Sequence, residues 1–169
     1  MLGLFSGDAL SVIEKALAGR GWKYKKESDG AIQTGISSKR DYFIVVHAEK
    51  ERKTAVFLFV PLDRDDKLLR VHVAHGHSRE QVAGVCEIIT HLNFSALLGC
   101  LARDFSDGEL RFRIAVPYRD TSLTVDQVNW CLDVGVGYLD SVVPKIERYL
   151  GGRLSLEEAI GEKGPTMEV

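Results

Sequence analysis

The feature that most constrains the fold is a segment, residues 22–73, in which apolar side chains tend to recur at every second position. A period of two indicates β-strands, because successive side chains of a strand point to opposite faces of a sheet. Two turn signals, Ser28-Asp29-Gly30 and the charged run Lys50–Lys53, each separate two such stretches, as in a β-hairpin. The predicted strands are Trp22–Glu27, Ala31–Ser37, Tyr42–Glu49 and Thr54–Val60, with a further short strand at Leu68–Ala74.

Two helices are predicted on either side of these strands. Residues 8–19 place their apolar side chains on one face of a short helix. The capping box Ser78–Gln81 marks the start of a second helix, because the first and fourth side chains of such a motif bond each other's backbone N–H groups. We expect this helix to stop at Asn93 and to be capped by that residue, since Asn tolerates the left-handed conformation found at helix ends.

A long third helix is predicted in the C-terminal part of the chain. It starts at a second capping box, Thr124–Gln127, and its apolar repeat continues to Leu150. Pro144 lies inside it and is expected to kink or restart the helix, because proline lacks the N–H that the helix needs. A third capping box, Ser155–Glu158, predicts a final short helical turn.

A third hairpin, Leu97–Phe105 with Glu109–Pro117, lies between the last two long helices. The predicted order is therefore α-β-β-β(-β)-α-β-β-α. Helices and strands do not alternate one for one, so we predict an α+β fold, an antiparallel sheet with helices packed on it. Residues 1–160 are expected to form a single domain, and residues 161–169 a disordered tail.

Composition argues against several classes of protein. The formal net charge is −2, without the basic balance of a nucleic-acid binder, and no apolar run reaches the ~18 residues that span a bilayer. The three cysteines, Cys86, Cys100 and Cys131, form no Cys-x-x-Cys pair, which favours free thiols in a reducing compartment. We expect a cytoplasmic protein that binds neither nucleic acid nor membrane.

The predicted strand around Asp41–Glu49 is apolar on both of its faces, and so is Thr54–Val60. About three helices are enough to cover one face of a sheet, which leaves two explanations for the second face. Either the chain covers it by curling the sheet or splitting its helices, or a partner does, meaning a second copy or another protein. We predict that Phe43 and Val45 belong to such a partner surface, because polar residues flank them.

Side chains able to do chemistry are present but form no familiar catalytic pattern. His72, His75 and His77 are dense enough for a metal or small-ligand site. In an extended strand, however, His72 points away from the other two, and no carboxylate or cysteine at ligand spacing completes the set. The cysteines fall among apolar residues, where a thiol behaves as a small hydrophobic group. We therefore predict no catalytic residue, no cofactor and no resident metal.

Two further motifs have structural explanations. The segment Trp22–Lys26 interleaves aromatic and basic residues, as nucleic-acid surfaces do. Strand alternation would put the two kinds on opposite faces, and a row of lysines also protects an edge strand from aggregation. Gly135-Val136-Gly137 lacks the preceding strand and third glycine of a dinucleotide-binding loop, so we attribute its glycines to close helix packing.

Short motifs along the chain resemble the YbjN-like family: Gly21-Trp22-x-Tyr24, His91–Gly99, Leu110–Arg113 and Ser155–Ala159. The resemblance covers about residues 8–159. It implies a fold like that of type III secretion chaperones, which commonly form homodimers and bind segments of other proteins. It brings no catalytic residues with it.

We therefore expect a non-enzymatic protein-binding module, a chaperone-like or regulatory adaptor that acts as a homodimer. The alternative is a regulator that binds a metal or a small ligand through the region of His72, His75 and His77.

Overall fold

The computed structural model describes residues 9–63, 65, 67–119 and 121–161, and these form four helices and six strands. The helices are α1 (Ala9–Gly19), α2 (Arg79–Ser95), α3 (Val125–Leu150) and α4 (Leu156–Gly161). The strands are β1 (Tyr24–Lys26), β2 (Ile32–Ser37), β3 (Asp41–Glu49), β4 (Thr54–Pro61), β5 (Cys100–Arg103) and β6 (Leu110–Pro117). The predicted α+β class is confirmed. Gly161 ends α4, and the rest of the predicted tail, residues 162–169, lies outside the described residues.

All six strands pair in one antiparallel sheet with the spatial order β1-β2-β3-β4-β6-β5. The three predicted hairpins are confirmed as β1 with β2, β3 with β4, and β5 with β6. Pairing of β4 with β6 joins the third hairpin to the second. One register row crosses five strands through Gln33, Val45, Leu58, Arg113 and Cys100. Because directly opposed residues point to the same side, this row identifies one face of the sheet.

The helices pack on the other face and share one hydrophobic core with it. Strands β3 and β4 contribute alternate side chains to this core, among them Tyr42, Ile44, Phe57 and Phe59, none more than 1% exposed. Helix α3 approaches closely at Gly135, where an added Cβ would lie 2.3 Å from the Phe59 ring. The missing side chain therefore sets how near the longest helix comes to the sheet.

The starts of three helices are fixed by the predicted capping boxes. Ser78 Oγ accepts the Gln81 N–H at 3.1 Å, and Gln81 Oε1 accepts the Ser78 N–H at 2.8 Å. Thr124 and Gln127 make the same exchange at α3. At α4, Glu158 accepts the Ser155 N–H at 2.7 Å while Ser155 Oγ accepts the Glu158 N–H at 3.2 Å. Orphan N–H groups of the first turns are thereby satisfied.

The prediction of a short strand at Leu68–Ala74 is wrong. Leu68 and Arg70 make only isolated bridges, and Val73–His75 form a 3-10 turn. Gly76 ends that turn in the left-handed region, at φ 86°. A side-chain cap at one end of the turn and this glycine at the other satisfy the backbone locally, so no continuous ladder forms.

Helix α3 runs without interruption from Val125 to Leu150, so it does not restart at Pro144. Despite this length, no helix of the described residues combines the length and apolarity that a membrane crossing requires.

Candidate functional site

One face of the sheet lies on the side away from the helices. Its apolar centre consists of Phe43 and Val45 from β3, and Val56, Leu58 and Val60 from β4. We call the surface formed by these five residues the open face. Phe43 is paired with Val60 and Val45 with Leu58. None of the five belongs to the core that the described helices share. The structure therefore brings the two residues predicted from sequence, Phe43 and Val45, together on the uncovered side.

The five residues of the open face differ in their exposure. Val56 and Val60 are 5% and 6% exposed. Phe43, Val45 and Leu58 are half-buried and remain in contact with water. Single exposed apolar residues are ordinary on protein surfaces, whereas large contiguous apolar patches are found at interaction sites.

Polar side chains border the open face on both flanks. Gln33 on β2 and Arg113 on β6 lie in the same register row as Val45 and Leu58. Arg113 is exposed, and its guanidinium has no ion pair with another described residue. An apolar centre with a polar rim that includes arginine is the composition of a protein–protein contact.

Three apolar side chains that were not predicted from the sequence are much more exposed than those of the open face. Phe94 is 94% exposed, Leu97 80% and Phe105 83%. Phe94 lies in the last turn of α2. Leu97 and Phe105 flank β5, because the predicted strand Leu97–Phe105 is too long at both ends and only Cys100–Arg103 pairs. The available signal was Gly99, which breaks the strand pattern and adopts φ 78° in the structure.

Asn93 lies in α2, and its side chain contacts the outer edge of β5. Its side-chain amide donates to the Leu101 carbonyl, its side-chain oxygen accepts the Leu101 N–H, and both distances are 2.8 Å. The side chain thus bonds both backbone groups of an edge strand, as a neighbouring strand would. The predicted C-cap role is wrong, because α2 continues to Ser95 and Ala96 is the capping residue.

The three histidines lie near one another but have different roles, and the ring centroids of His72 and His75 are 6.4 Å apart. His75 and His77 line a cavity of about 680 Å³ together with Lys67 and Arg70. His72 has another role, since its Nδ1 accepts the Ala74 N–H at 3.1 Å and caps the 3-10 turn. Within the described residues no three potential metal ligands come together, so the three histidines do not share a metal position.

Two polar contacts join β3 and its preceding turn to α3. The Tyr42 hydroxyl donates to Asp140 at 2.5 Å, and the Arg40 guanidinium lies 2.5 Å from a Glu147 oxygen. Burial, followed by the contact with Asp140, raises the pKa of Tyr42 far above its usual value. Tyr42 therefore remains a neutral hydrogen-bond donor at ordinary pH, which is a structural role.

The cysteines occupy three different environments. Cys131 is 1% exposed inside the core, Cys86 is half-buried on α2, and Cys100 is exposed on β5. Burial raises the pKa of the Cys131 thiol to about 11. Because the thiolate is the nucleophile, this cysteine is poorly suited to covalent chemistry.

The segment that interleaves basic and aromatic residues forms the edge strand β1 and the turn before it. Lys25 pairs with Glu27 at 2.8 Å, and Lys26 with Glu14 at 3.3 Å. Trp22 packs against the core, with the Arg20 guanidinium 5.1 Å from its ring centroid. Its indole therefore does not form an open stacking platform beside the lysines.

Comparisons with known proteins bear on the fold. No family model matches the chain, and no curated protein sequence matches it. A solved structure does: YbjN from E. coli, described as a proposed transcription regulator, superposes with a TM-score of 0.55, covering 85% of this chain and 93% of YbjN. The chain has a YbjN-like fold. The sequence identity is 11%, so the likeness concerns the course of the backbone.

Within this YbjN-like fold the two candidate sites lie in different places. The open face is on the helix-free side of the sheet. The histidine cavity lies where the connection between β4 and α2 turns past the end of α3, since an adjoining cavity is lined by Glu147 and Leu150.

Proposed function

We propose that the chain is a non-enzymatic protein-binding module, a chaperone-like or regulatory adaptor that acts as a homodimer. The observation that carries the proposal is the open face, where Phe43, Val45 and Leu58 remain in contact with water on the side that the described helices leave uncovered. Removing apolar surface from water is favourable by about 25 cal/mol per Å², so a partner that covers this face gains stability. The resemblance to type III secretion chaperones and the description of YbjN as a regulator agree with a binding role.

We assign the open face to a second copy of the chain. Two sheet faces of the same shape stack about 10 Å apart, which places one apolar centre against the other. A two-fold contact of this kind uses the same patch on both copies. Gln33 and Arg113 would then lie at the rim, where polar groups keep access to water.

The test is co-purification of a tagged and an untagged copy expressed in the same host cells, with Phe43→Asp as the disrupting variant. Phe105→Asp is the matched control, because it introduces the same charge at an exposed phenylalanine outside the open face. We expect the untagged copy to be retained by the wild type and by the control, and to be lost with Phe43→Asp.

Two other results are informative. A different protein that is captured in near-stoichiometric amount, and lost only with Phe43→Asp, would identify that protein as the occupant and overturn the homodimer. If Phe43→Asp and wild type retain the same proteins, the open face is not an interface.

A further inference from the structure

We propose that the cavity beside the β4–α2 connection binds a small anion that carries phosphate groups. Its volume of about 680 Å³ suits a small molecule, since such sites typically measure 300–1,000 Å³. Four of its lining residues are bases, Lys67, Arg70, His75 and His77, and Asp63 is the carboxylate among the described lining residues. This excess of basic groups over carboxylates favours an anionic ligand over an apolar one.

Asp63 contributes one negative charge beside these bases. Its Oδ1 accepts the N–H groups of Asp65 and Lys67, at 2.8 and 3.0 Å. Those hydrogen bonds hold the pKa of Asp63 below its usual value. The ionised carboxylate therefore holds the loop that carries Lys67. It offsets one of the two positive charges of Lys67 and Arg70, which leaves an excess of one positive charge among the described lining residues.

The bases themselves have spare donor groups. The His75 and His77 rings make no hydrogen bond with another described residue, and the Lys67 ammonium lies 3.9 Å from an exposed Asp65 carboxylate. Arg70 contacts Asp107 through one nitrogen at 3.3 Å, which leaves its other N–H groups available. The Lys67 and Arg70 donors make charge-assisted hydrogen bonds with phosphate oxygens, which are stronger than neutral ones, and each imidazole ring offers an N–H.

A second cavity of about 470 Å³ adjoins the first and shares Asp63, Leu69 and His77 with it. It adds Arg153 and two carboxylates, Asp65 and Glu147, and Glu147 is paired with Arg40 at 2.5 Å. His77 therefore lies where the two cavities meet, between Lys67 on one side and Arg153 on the other. The second cavity has three carboxylates and two bases among its described lining residues, so we assign the anion to the first cavity.

The test is isothermal titration calorimetry with inorganic pyrophosphate as the probe. We expect saturable binding of one pyrophosphate per chain, weakened at least about ten-fold by Lys67→Ala and by His77→Gln, because each removes a donor from the cavity. His91→Gln is the matched control, since it removes an exposed histidine of α2 that does not line the cavity. The His91→Gln variant should bind pyrophosphate with the affinity of the wild type. Thermal unfolding should show that each variant is folded.

Absence of saturable binding to the wild type up to about 10 mM pyrophosphate would overturn the proposal, because that limit corresponds to less than about 3 kcal/mol of binding free energy. Equal affinity in the wild type and both cavity variants would also overturn it, since the anion would then bind elsewhere. Phe43→Asp should bind pyrophosphate like the wild type, so this result is independent of the open face.

Discussion

Phe59 and Phe43 lie on adjacent strands of one sheet but on opposite faces. Phe59 is fully buried under α3, beside Gly135 and Phe112. Phe43 is half-buried on the open face, outside the core that the described helices share. Both strands are apolar on both sides, so strand composition alone does not decide which side becomes the core. The placement of the helices decides it, and the apolar residues left on the other side are available to a partner.

The largest expected effect is the difference in the free energy of unfolding between alanine variants of these two phenylalanines. Phe59→Ala is expected to lower the free energy of unfolding by about 3–5 kcal/mol, through lost burial and a cavity under α3. Phe43→Ala should cost about 1 kcal/mol, because its ring is already partly in water. Urea unfolding at low protein concentration, where monomers predominate, measures both. Equal losses would mean that the open face is packed as tightly as the core.

A second pair of variants tests how closely α3 approaches the covered face. Gly135→Ala places a Cβ 2.3 Å from the Phe59 ring and should destabilise the chain by about 1–3 kcal/mol. Gly137→Ala meets no atom within 4 Å and should stabilise the helix by up to about 1 kcal/mol. Unfolding curves that shift in the same direction would contradict this account of the helix–sheet contact.

Local signals account for most of what the sequence predicted. The capping boxes at Ser78, Thr124 and Ser155 involve residues three positions apart, and all three form as expected. Close packing at Gly135-Val136-Gly137 is confirmed for Gly135 but wrong for Gly137, because only one of two glycines so near in a helix faces the sheet. Strand pairing likewise followed from turn signals between adjacent alternating segments.

What could not be predicted depends on contacts across the fold. Asn93 looks like a helix stop in one dimension, and its true partner, Leu101, is identified only once β5 lies beside α2. The sequence shows that Phe43 and Val45 are on the same side of a strand. It does not show which side the helices cover, because Tyr42 and Ile44 are equally apolar.

The free energy of unfolding should also fall at alkaline pH, because Cys131 is buried in the core. Burial raises the pKa of this thiol from its ordinary 9.0 to about 11, so the folded state favours the neutral form. Between these two values the unfolded chain has released the proton while the folded chain retains it. The free energy of unfolding therefore falls as pH rises through this range, by about 2 kcal/mol from this group.

Cys131→Ala should lower stability at all pH values but reduce the slope between pH 9 and about 11. Cys100→Ala, which removes an exposed thiol, is the matched control and should keep the wild-type slope. Urea unfolding at a series of pH values measures the slope. An unchanged slope in Cys131→Ala would contradict a buried neutral thiol.

The smallest expected effect on stability concerns the edge strand β5, where the Asn93 side chain bonds the backbone. Asn93→Ala removes both hydrogen bonds to Leu101 and should cost about 1–2 kcal/mol, because the backbone groups of an edge strand lose their partner. Hydrogen exchange of the Leu101 amide should become faster. His91→Ala, at an exposed position of the same helix, should change neither quantity. Unchanged exchange in Asn93→Ala would show that β5 does not depend on this contact.

Sedimentation equilibrium of the purified chain over a range of concentrations measures whether two copies associate through the open face. We expect a wild-type mass of twice 18.8 kDa, a monomer for Phe43→Asp, and a dimer for the Phe105→Asp control. Circular dichroism should show that all three proteins are folded. A wild type that remains monomeric at every concentration, or a Phe43→Asp variant that remains dimeric, would contradict the assignment of the open face to a second copy.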